Sequence, residues 1–543
     1  MTFTRRDIIR YGALSAVAAV LPAQRLLLDR GQAEADPLAC VANRVFTGDV
    51  TMPEGFTVPA GETWMFDPAA STTVAVGANV VIEGILQMRP AHAGIVHTLR
   101  FDGVDETAFV GGHTMTPIAT DVGLWVVGLG QLDAQGATRA GWNRSGDDPT
   151  WLATDELVSV PYAPGDYWQG FAPFTKGGAV PTTTSPDGTV YPTEIANLTR
   201  NVRIEGTPEH RAHVMFVGCQ RPQTLRHLAI RWMCPTQDTG RTYWMNGANH
   251  QVDAGVPGRY GLHFHHCGDG TRGTIVEGVL IRDTGGRAFV PHLSNGITFT
   301  DCVAYGIRDD GFWWDFHDET HDVTYDHCAV FGVAAVPWYE GYSITGFLLG
   351  EGTGMTARNC VAVGVSSWAV NGAGFHWPDT ASGQNVWTFQ NNVAHNNRGT
   401  GFGVWQVDYN PHVIDQFTSY HNYHGVHHGS YVNAYTYRDG TVFSNTYDHE
   451  LQALGAVTFD RIRFAGDALI TLHTVPAELP TRYVDCVFGG LIHVAEQGHH
   501  GVIRFESSTP ATDLTPAKFV VTSMTSTITV HNSDGSTFTV GQP

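Results

Sequence analysis

Two histidines in the run Arg-Tyr-Gly-Leu-His-Phe-His-His-Cys-Gly-Asp, residues 259–269, have the spacing with which a strand offers two imidazoles to one ion. His263 and His265 are two apart, so in extended backbone they leave on one face while Phe264 leaves on the other. His292 in Phe-Val-Pro-His-Leu-Ser (289–294) and Asp315 and His317 in Gly-Phe-Trp-Trp-Asp-Phe-His-Asp (311–318) follow glycine-containing turns at similar offsets. Stacked as successive strands roughly 4.8 Å apart, these runs would bring His263, His265, His292, Asp315 and His317 into one column. His265, His292 and Asp315 would then supply two imidazoles and a carboxylate with coordination positions left open, a set suited to zinc or another first-row transition metal. Calcium is the other divalent candidate, though it prefers more oxygen ligands. His263, Asp269 and His317 are candidate catalytic or additional ligating groups. A single strand histidine is more often just hydrogen-bonded, so the grouping carries the reading.

The elements that must position this column are legible as a repeat. Ile297 to Gly306, Val323 to Gly332, Met355 to Gly364 and Trp387 to Asn396 are copies of one unit, spaced 26 to 32 residues apart. Between them recurs a second run opening Gly-Phe, at Gly311-Phe312, Gly346-Phe347, Gly374-Phe375 and Gly401-Phe402. Short strands at irregular spacing that absorbs loop insertions predict a parallel β-helix rather than a propeller or sandwich. In such a solenoid Cys302, Cys328, Cys360 and then Asn392 stack as an interior ladder. Weaker copies continue towards the C-terminus, and strands from Phe519 to Val540 close the structure. From Ala39 to Trp142 short alternating runs broken by Gly and Pro predict a β-domain at the N-terminal end of the solenoid.

Composition bounds the function. With 543 residues, 42% of them hydrophobic, the chain is long enough for a large core, and 62 glycines among Thr-, Val- and aromatic-rich runs point to all-β structure. A formal charge of -21 without a basic cluster argues against nucleic-acid binding and against long-range attraction of a polyanion. The positions of the eight cysteines argue against a dense disulfide framework, and Cys302, Cys328 and Cys360, which recur at one place in the repeat, read as buried free thiols. Thr4-Arg5-Arg6-Asp7-Ile8-Ile9-Arg10, a short apolar run to Leu21 and Ala33-Glu34-Ala35 read as a twin-arginine export signal with its cleavage site, placing the mature protein outside the cytoplasm: secreted, periplasmic or on the cell surface. No other stretch is a candidate membrane span. His421, His424, His427 and His428 either line a groove or form a surface cluster, and Trp313, Trp314, Trp377 and Trp405 are core residues or sugar-stacking platforms.

The run 259–269, with Leu198 to Val202 upstream and Pro291 to Gly296 and Tyr325 to Cys328 downstream, resembles the family of the cell-migration-inducing hyaluronan-binding protein and transmembrane protein 2. The likeness covers roughly Val45 to Asp448, and the N-terminal segment is similar to that family's eight-glycine domain. The resemblance implies a right-handed parallel β-helix, an exported setting and metal-dependent depolymerisation of hyaluronan. Carried over residue by residue, it implies roles for His263, His265, Asp269, His292, Arg200 and His213, and for Asp315 where the family has Glu. Arg200 becomes a candidate for holding a uronate or acetamido group.

These readings combine into an expectation of four segments: a signal over 1–35, an eight-glycine-like β-domain over 36–165, a right-handed parallel β-helix over 166–510 and closing strands over 511–543. The expected protein is a secreted, metal-dependent glycoside hydrolase or polysaccharide lyase acting on a glycosaminoglycan-like or other uronate- or acetamido-containing polysaccharide in a groove of the β-helix, with metal at His265, His292 and Asp315 and catalytic groups among His263, Asp269, Arg200 and His317. A carbohydrate- or surface-binding protein with a structural histidine cluster, and an exported copper or iron oxidoreductase, are the alternatives. Replacing Arg5 and Arg6 by Lys should leave the precursor inside the cell, since paired guanidinium groups are not mimicked by ammonium groups. Fractionation followed by immunoblotting checks this, and undiminished export of the variant would point to another route.

Overall fold

A computed structural model describes residues 42–541 apart from 168–169, 246–247, 315–318, 335–343, 367–371, 378–385, 406–409, 430–433, 452–455, 473–480, 497–502 and 524–527; for 238–245, 248–254, 471–472, 496 and 523 it describes the backbone alone. The export signal over 1–35 and the candidates Asp315 and His317 therefore lie outside the described residues.

The chain winds as a parallel β-helix, the fold class expected from the repeat. Each turn contributes one short strand to each of three sheets, and successive turns pair in parallel. One turn runs from Ile275–Glu277 in the first sheet to Leu280–Arg282 in the second and Phe289–Ser294 in the third. The next returns through Thr298–Thr300 and Val303–Arg308. Phe312 then bridges Phe289 and Phe347, joining the two halves of the third sheet.

A sharp bend between the first and second sheets is made once per turn by a residue in left-handed backbone: His227, Asp301, His327, Asn359, Asn391, Gln416, Asp439, Arg461 and Asp485 all have φ between 49° and 56°. Asp, Asn and His dominate this set because they tolerate that region better than other non-glycine residues. The residue after the bend is turned inward, which is where the cysteines sit. Cys302, Cys328 and Cys360 are fully buried free thiols. Their Sγ atoms donate to the carbonyls of Val276, Phe299 and Tyr325 at 3.2, 3.4 and 3.6 Å. Asn392 continues the ladder, its carboxamide accepting from the Cys360 amide at 2.8 Å and donating to Ala357 at 2.9 Å.

Inside the third sheet the Gly-Phe runs stack. Phe289, Phe312, Phe347, Phe375 and Phe402 lie ring on ring, with centroids 4.6, 4.7, 4.7 and 5.3 Å apart and planes within 9°. That spacing is close to the interstrand repeat. The glycine before Phe312, Phe347 and Phe375 is required: a Cβ on Gly311, Gly346 or Gly374 would stand 2.6, 2.6 or 2.9 Å from the carbonyl oxygen of the glycine one turn on.

The N-terminal segment is not a separate β-domain. Arg44–Phe46, Thr63–Phe66, Ile85–Met88 and Gln131–Gln135 lead by parallel pairing into Thr224–Arg226 of the first sheet, and the second and third sheets begin the same way. The same alternating pattern suits the first turns of a solenoid and a free-standing sheet, so sequence did not separate them. The boundary expected at 165 falls between Leu157–Ser159 and Ala172–Phe174, which pair with each other in a four-stranded antiparallel insertion. Trp142, Val158, Val160 and Ala196 of this insertion pack on Ala229, Leu280, Val303, Ala329 and Val361, covering the outward face of the second sheet. The closing strands behave as expected in part: Phe519–Ser523 and Ile528–His531 extend the third and first sheets in parallel, and Thr537–Val540 turns back antiparallel. Among the described residues no helix is long and apolar enough to cross a membrane.

Phe347 lies at the middle of the ring stack, fully buried, so Phe347→Ala should lower stability by about 3–5 kcal/mol. Denaturant unfolding followed by far-UV circular dichroism measures it, and a loss below about 1 kcal/mol would mean the ladder is dispensable.

Candidate metal centre

The strand Leu262–Gly268 lies in the third sheet between His213–Val217 and Phe289–Ser294. Phe264 pairs with Phe216 and stacks on its ring at 4.6 Å inside the solenoid. His263 and His265 consequently leave on the outer face, and the register sets His265 directly against His292. This part of the expected column is present.

The outer face here is roofed. His263, His265 and His292 are fully buried, and His113, from the segment preceding the strand Gly123–Val127, has its ring centroid 6.0 Å from those of His265 and His292. A buried ion pair anchors that roof: Arg259 Nε meets Asp121 at 2.7 Å with both side chains wholly inaccessible. Asp121 also accepts from the amides of Val110 and Gly111 at 2.8 and 2.9 Å, and Arg259 donates to the Gly112 carbonyl at 3.2 Å. Burial pushes the Asp121 carboxyl up, but the Val110 and Gly111 amides, Thr120 and the Arg259 guanidinium outweigh it and hold the group below its ordinary range. Gly258 is required where the roof meets the strand, since it has φ 77° and a Cβ there would lie 2.6 Å from the Gly112 carbonyl oxygen.

Four imidazoles converge at this roof, His265 and His292 buried and His113 and His266 exposed. One potential ligand atom from each of His113, His265, His266 and His292 lies within 4.8 Å of all the others. The Nδ1 atoms of His265 and His292 are 3.0 Å apart. Burial, then the neighbouring imidazoles, push His265 down to about 3. His263 is held well below its ordinary value by the same causes. Both are therefore neutral at neutral pH, the form in which imidazole donates a lone pair to a metal. His263 stands beside the four: its Nδ1 contacts the Gly258 carbonyl at 2.9 Å, which can only accept, so the proton is on Nδ1 and the Nε2 lone pair is free. That Nε2, and the Nε2 of His265, are buried without a hydrogen-bond partner. Such orphaned nitrogens are costly in a protein interior unless something binds them. The residues thus fit a transition metal, and an all-imidazole set suits zinc, copper or iron far better than calcium, because no carboxylate joins the cluster among the described residues.

His266 and His113 were not among the expected ligands. Simple alternation sends His266 inward with Phe264, but His266 has φ 51° and the pairing slips between His265 and Gly268, which turns its side chain back out. Leu293 beside it has φ 46°, matching the twist in the neighbouring strand. Two adjacent histidines in a strand, one of which would otherwise enter an aromatic core, were the available signal. His113 is remote in sequence, and the Gly111-Gly112 pair preceding it is the only local hint.

Other expected site residues lie elsewhere. Arg200 is almost wholly buried, its guanidinium donating to the carbonyls of Gly278 and Thr199 at 2.8 and 2.7 Å, and burial lowers its pKa to about 10. It buttresses the bend beside the insertion and offers nothing to a uronate, a correction to the role implied for it. Asp269 is exposed and tied to Asn295 and Arg272 at 3.0 and 2.9 Å, so it belongs to a surface network beside the cluster. An open depression of about 350 Å³ adjoins it, lined by His266, Gly268, Leu293, Asn295, Glu319 and His321. His213 is fully buried with its Nε2 3.1 Å from the Asp121 carbonyl, beneath the roof. Trp313, Trp314 and Trp377 are buried core residues rather than sugar platforms, and only Trp405 of the four is partly accessible. His421, His424, His427 and His428 are all buried, not a surface cluster.

No protein-family model matches this chain, and no curated protein matches it. Among solved structures it is similar to the receptor-binding protein of bacteriophage Det7, described as a podoviral tailspike in a myovirus, over 88% of this chain and 72% of that one, at 12% identity and a TM-score of 0.28. It is also similar to the tailspike protein gp49 from Pseudomonas phage LKA1, over 84% and 69% of the two chains, at 9% identity and a TM-score of 0.20. At those values neither protein informs the reading of the site. The chain's own strands and side chains define its class: a parallel β-helix with a roofed histidine cluster on one outer face.

Buried neutral histidines away from the cluster set a pH dependence. His213, His227 and His449 are pushed from 6.5 down to about 3, in each case chiefly by burial. Between those values the unfolded chain binds more protons than the folded one, so stability is complete above 6.5 and falls as pH drops towards 3, by up to ~1.4 kcal/mol per pH unit for each group. Melting temperature should be flat just above neutrality and decline steeply on acidification, and an unchanged value at pH near ~4 would contradict the burial assigned to these rings.

Proposed function

We propose that this protein is an exported, metal-dependent enzyme that cleaves a polysaccharide on the outer face of the third sheet. The observation that carries the proposal is the convergence of His113, His265, His266 and His292 next to a solvent-open depression. Binding sites in which several imidazoles are gathered and then partly shielded are a costly arrangement for a purely structural purpose. His265, His292, His266 and His113 would hold the ion. Asp315, outside the described residues, remains the candidate carboxylate ligand on its sequence spacing alone. When bound, a divalent metal supplies Lewis-acid polarisation of a substrate oxygen.

The chain's own groups have separable roles in this reading. His263 Nε2 is a lone pair beside the cluster, placed to accept a hydrogen bond and not to hold a proton, since burial disfavours its charged form. Glu319 and His321, 3.6 Å apart on the wall of the depression, can hold or pass one at its solvent side. Asn295 and the exposed Asp269 offer polar contacts to sugar hydroxyls at the rim. A polysaccharide suits this place because the solenoid presents the depression on a long flank, and the family resemblance of the run 259–269 points the same way. Strong acidity favours a neutral or weakly charged polymer over a densely anionic one. The donor set supports a second reading, an exported copper or iron oxidoreductase, because imidazole serves those metals equally well.

His265→Ala and His292→Ala should each remove most of the bound metal and abolish polymer cleavage while the melting temperature of the metal-free form changes little. Asp315→Asn should weaken binding less, since an amide oxygen still coordinates. Elemental analysis of the purified protein, with reducing-end and unsaturated-product assays on a polysaccharide panel and oxygen uptake in parallel, separates hydrolase, lyase and oxidase. Full metal and full activity in both histidine variants would remove this cluster from the chemistry.

A further inference from the structure

A second group of metal-ligating side chains lies on the later half of the third sheet. The strands Thr400–Val404, His424–His428 and Tyr447–Leu451 pair in parallel, with Phe402, Val426 and His449 in one column and Gly403, His427 and Glu450 in the next. The first column is the continuation of the phenylalanine ladder, so the second faces outward. Glu450 Oε2 is 2.7 Å from His424 Nε2 and 4.0 Å from His427 Nε2. One potential ligand atom of each residue lies within 4.8 Å of the other two.

Those separations straddle the distance of about 3.3 Å between ligands in a tetrahedral site whose metal bonds are about 2.0–2.1 Å long. Small rotations about side-chain bonds would equalise them. An independent observation points to a ligand. His427 is fully buried, yet neither of its ring nitrogens has a hydrogen-bond partner. His376 is nearly as buried and its Nδ1 is also without one. It stands two strands before His427, across Gly403, where a Cβ would come within 3.1 Å of that Nδ1. Trp405 closes one side, edge-on to His427 at 5.2 Å, while Glu450 keeps some exposure and gives the group its opening.

We infer that His424, His427 and Glu450 form a second binding site for a divalent first-row transition metal, distinct in composition from the all-histidine cluster. Two imidazoles and one carboxylate, with further positions open, is a donor set used by catalytic zinc and by non-haem iron. With two imidazoles to one carboxylate, against four imidazoles among the described residues of the first cluster, the two sites should differ in affinity and in the spectrum of a bound probe ion. The inference does not depend on the activity proposed above.

Cobalt(II) tests it through its visible d–d absorption. The chelator-stripped full chain is titrated with Co²⁺, followed by absorption and calorimetry, alongside His427→Ala, Glu450→Gln and His265→Ala. Glu450→Gln keeps the side-chain shape at a position that is not fully buried, so it reports even if His427→Ala disturbs folding. The expected result is that Glu450→Gln and His427→Ala each lose one equivalent relative to the parent, with at least tenfold weaker residual binding, and keep the equivalent that His265→Ala removes. A loss confined to Glu450→Gln and His427→Ala would support the second site while rejecting the first. Parental stoichiometry and affinity in both Glu450→Gln and His427→Ala would overturn the inference.

Discussion

The constraint on which this structure depends is the parallel register of the third sheet, enforced from inside by stacked aromatic rings. Phe289, Phe312, Phe347, Phe375 and Phe402 repeat at nearly the interstrand spacing. Because side chains alternate along a strand, each ring fixed inside fixes its neighbour outside. Phe264 stacked on Phe216 places His263 and His265 outward, and the same register sets His265 against His292. A slip of one residue would exchange rings and imidazoles, exposing one and burying the other in the core. The chemistry is thus held by packing on the opposite face of the same strands.

Gathering imidazoles has a cost that the local structure offsets. Burial disfavours the protonated form of His265 and His263, leaving them neutral with lone pairs available. The roof that buries them is itself held by a buried pair, Arg259 with Asp121, whose separation would leave an uncompensated charge in the interior. Satisfying Asp121 with two amides as well as the guanidinium makes that pair a rigid anchor for the segment carrying His113. The cluster is pre-organised by elements that do not themselves touch a ligand.

How much of this was legible in sequence follows from which signals are periodic. The Gly-Phe and Cys repeats report stacking directly, so the solenoid and the pairing of His265 with His292 could be read before any coordinates. The first turns of the helix were harder, because Val74–Ile85 alternates in the same way whether its partner is one turn away or in a separate sheet. His266 was missed because its outward position depends on a left-handed residue, and His113 because a roof crossing the sheet leaves no periodic trace. Arg200 was misassigned for another reason: its role was carried over from the family resemblance and not read from its surroundings, and its bonds run to backbone carbonyls. The histidines from 421 to 428 were ambiguous because spacing alone does not tell a covered outer face from an exposed one.

The most direct measurement is anomalous diffraction from crystals of the zinc-loaded protein, with data collected on both sides of the zinc absorption edge. The account predicts an edge-dependent peak within coordination distance, about 2.0–2.1 Å, of imidazole nitrogens from His265 and His292, with His113 or His266 completing the shell. A loaded crystal with no such peak beneath the roof, and with His265 and His292 still hydrogen-bonded to each other, would contradict it.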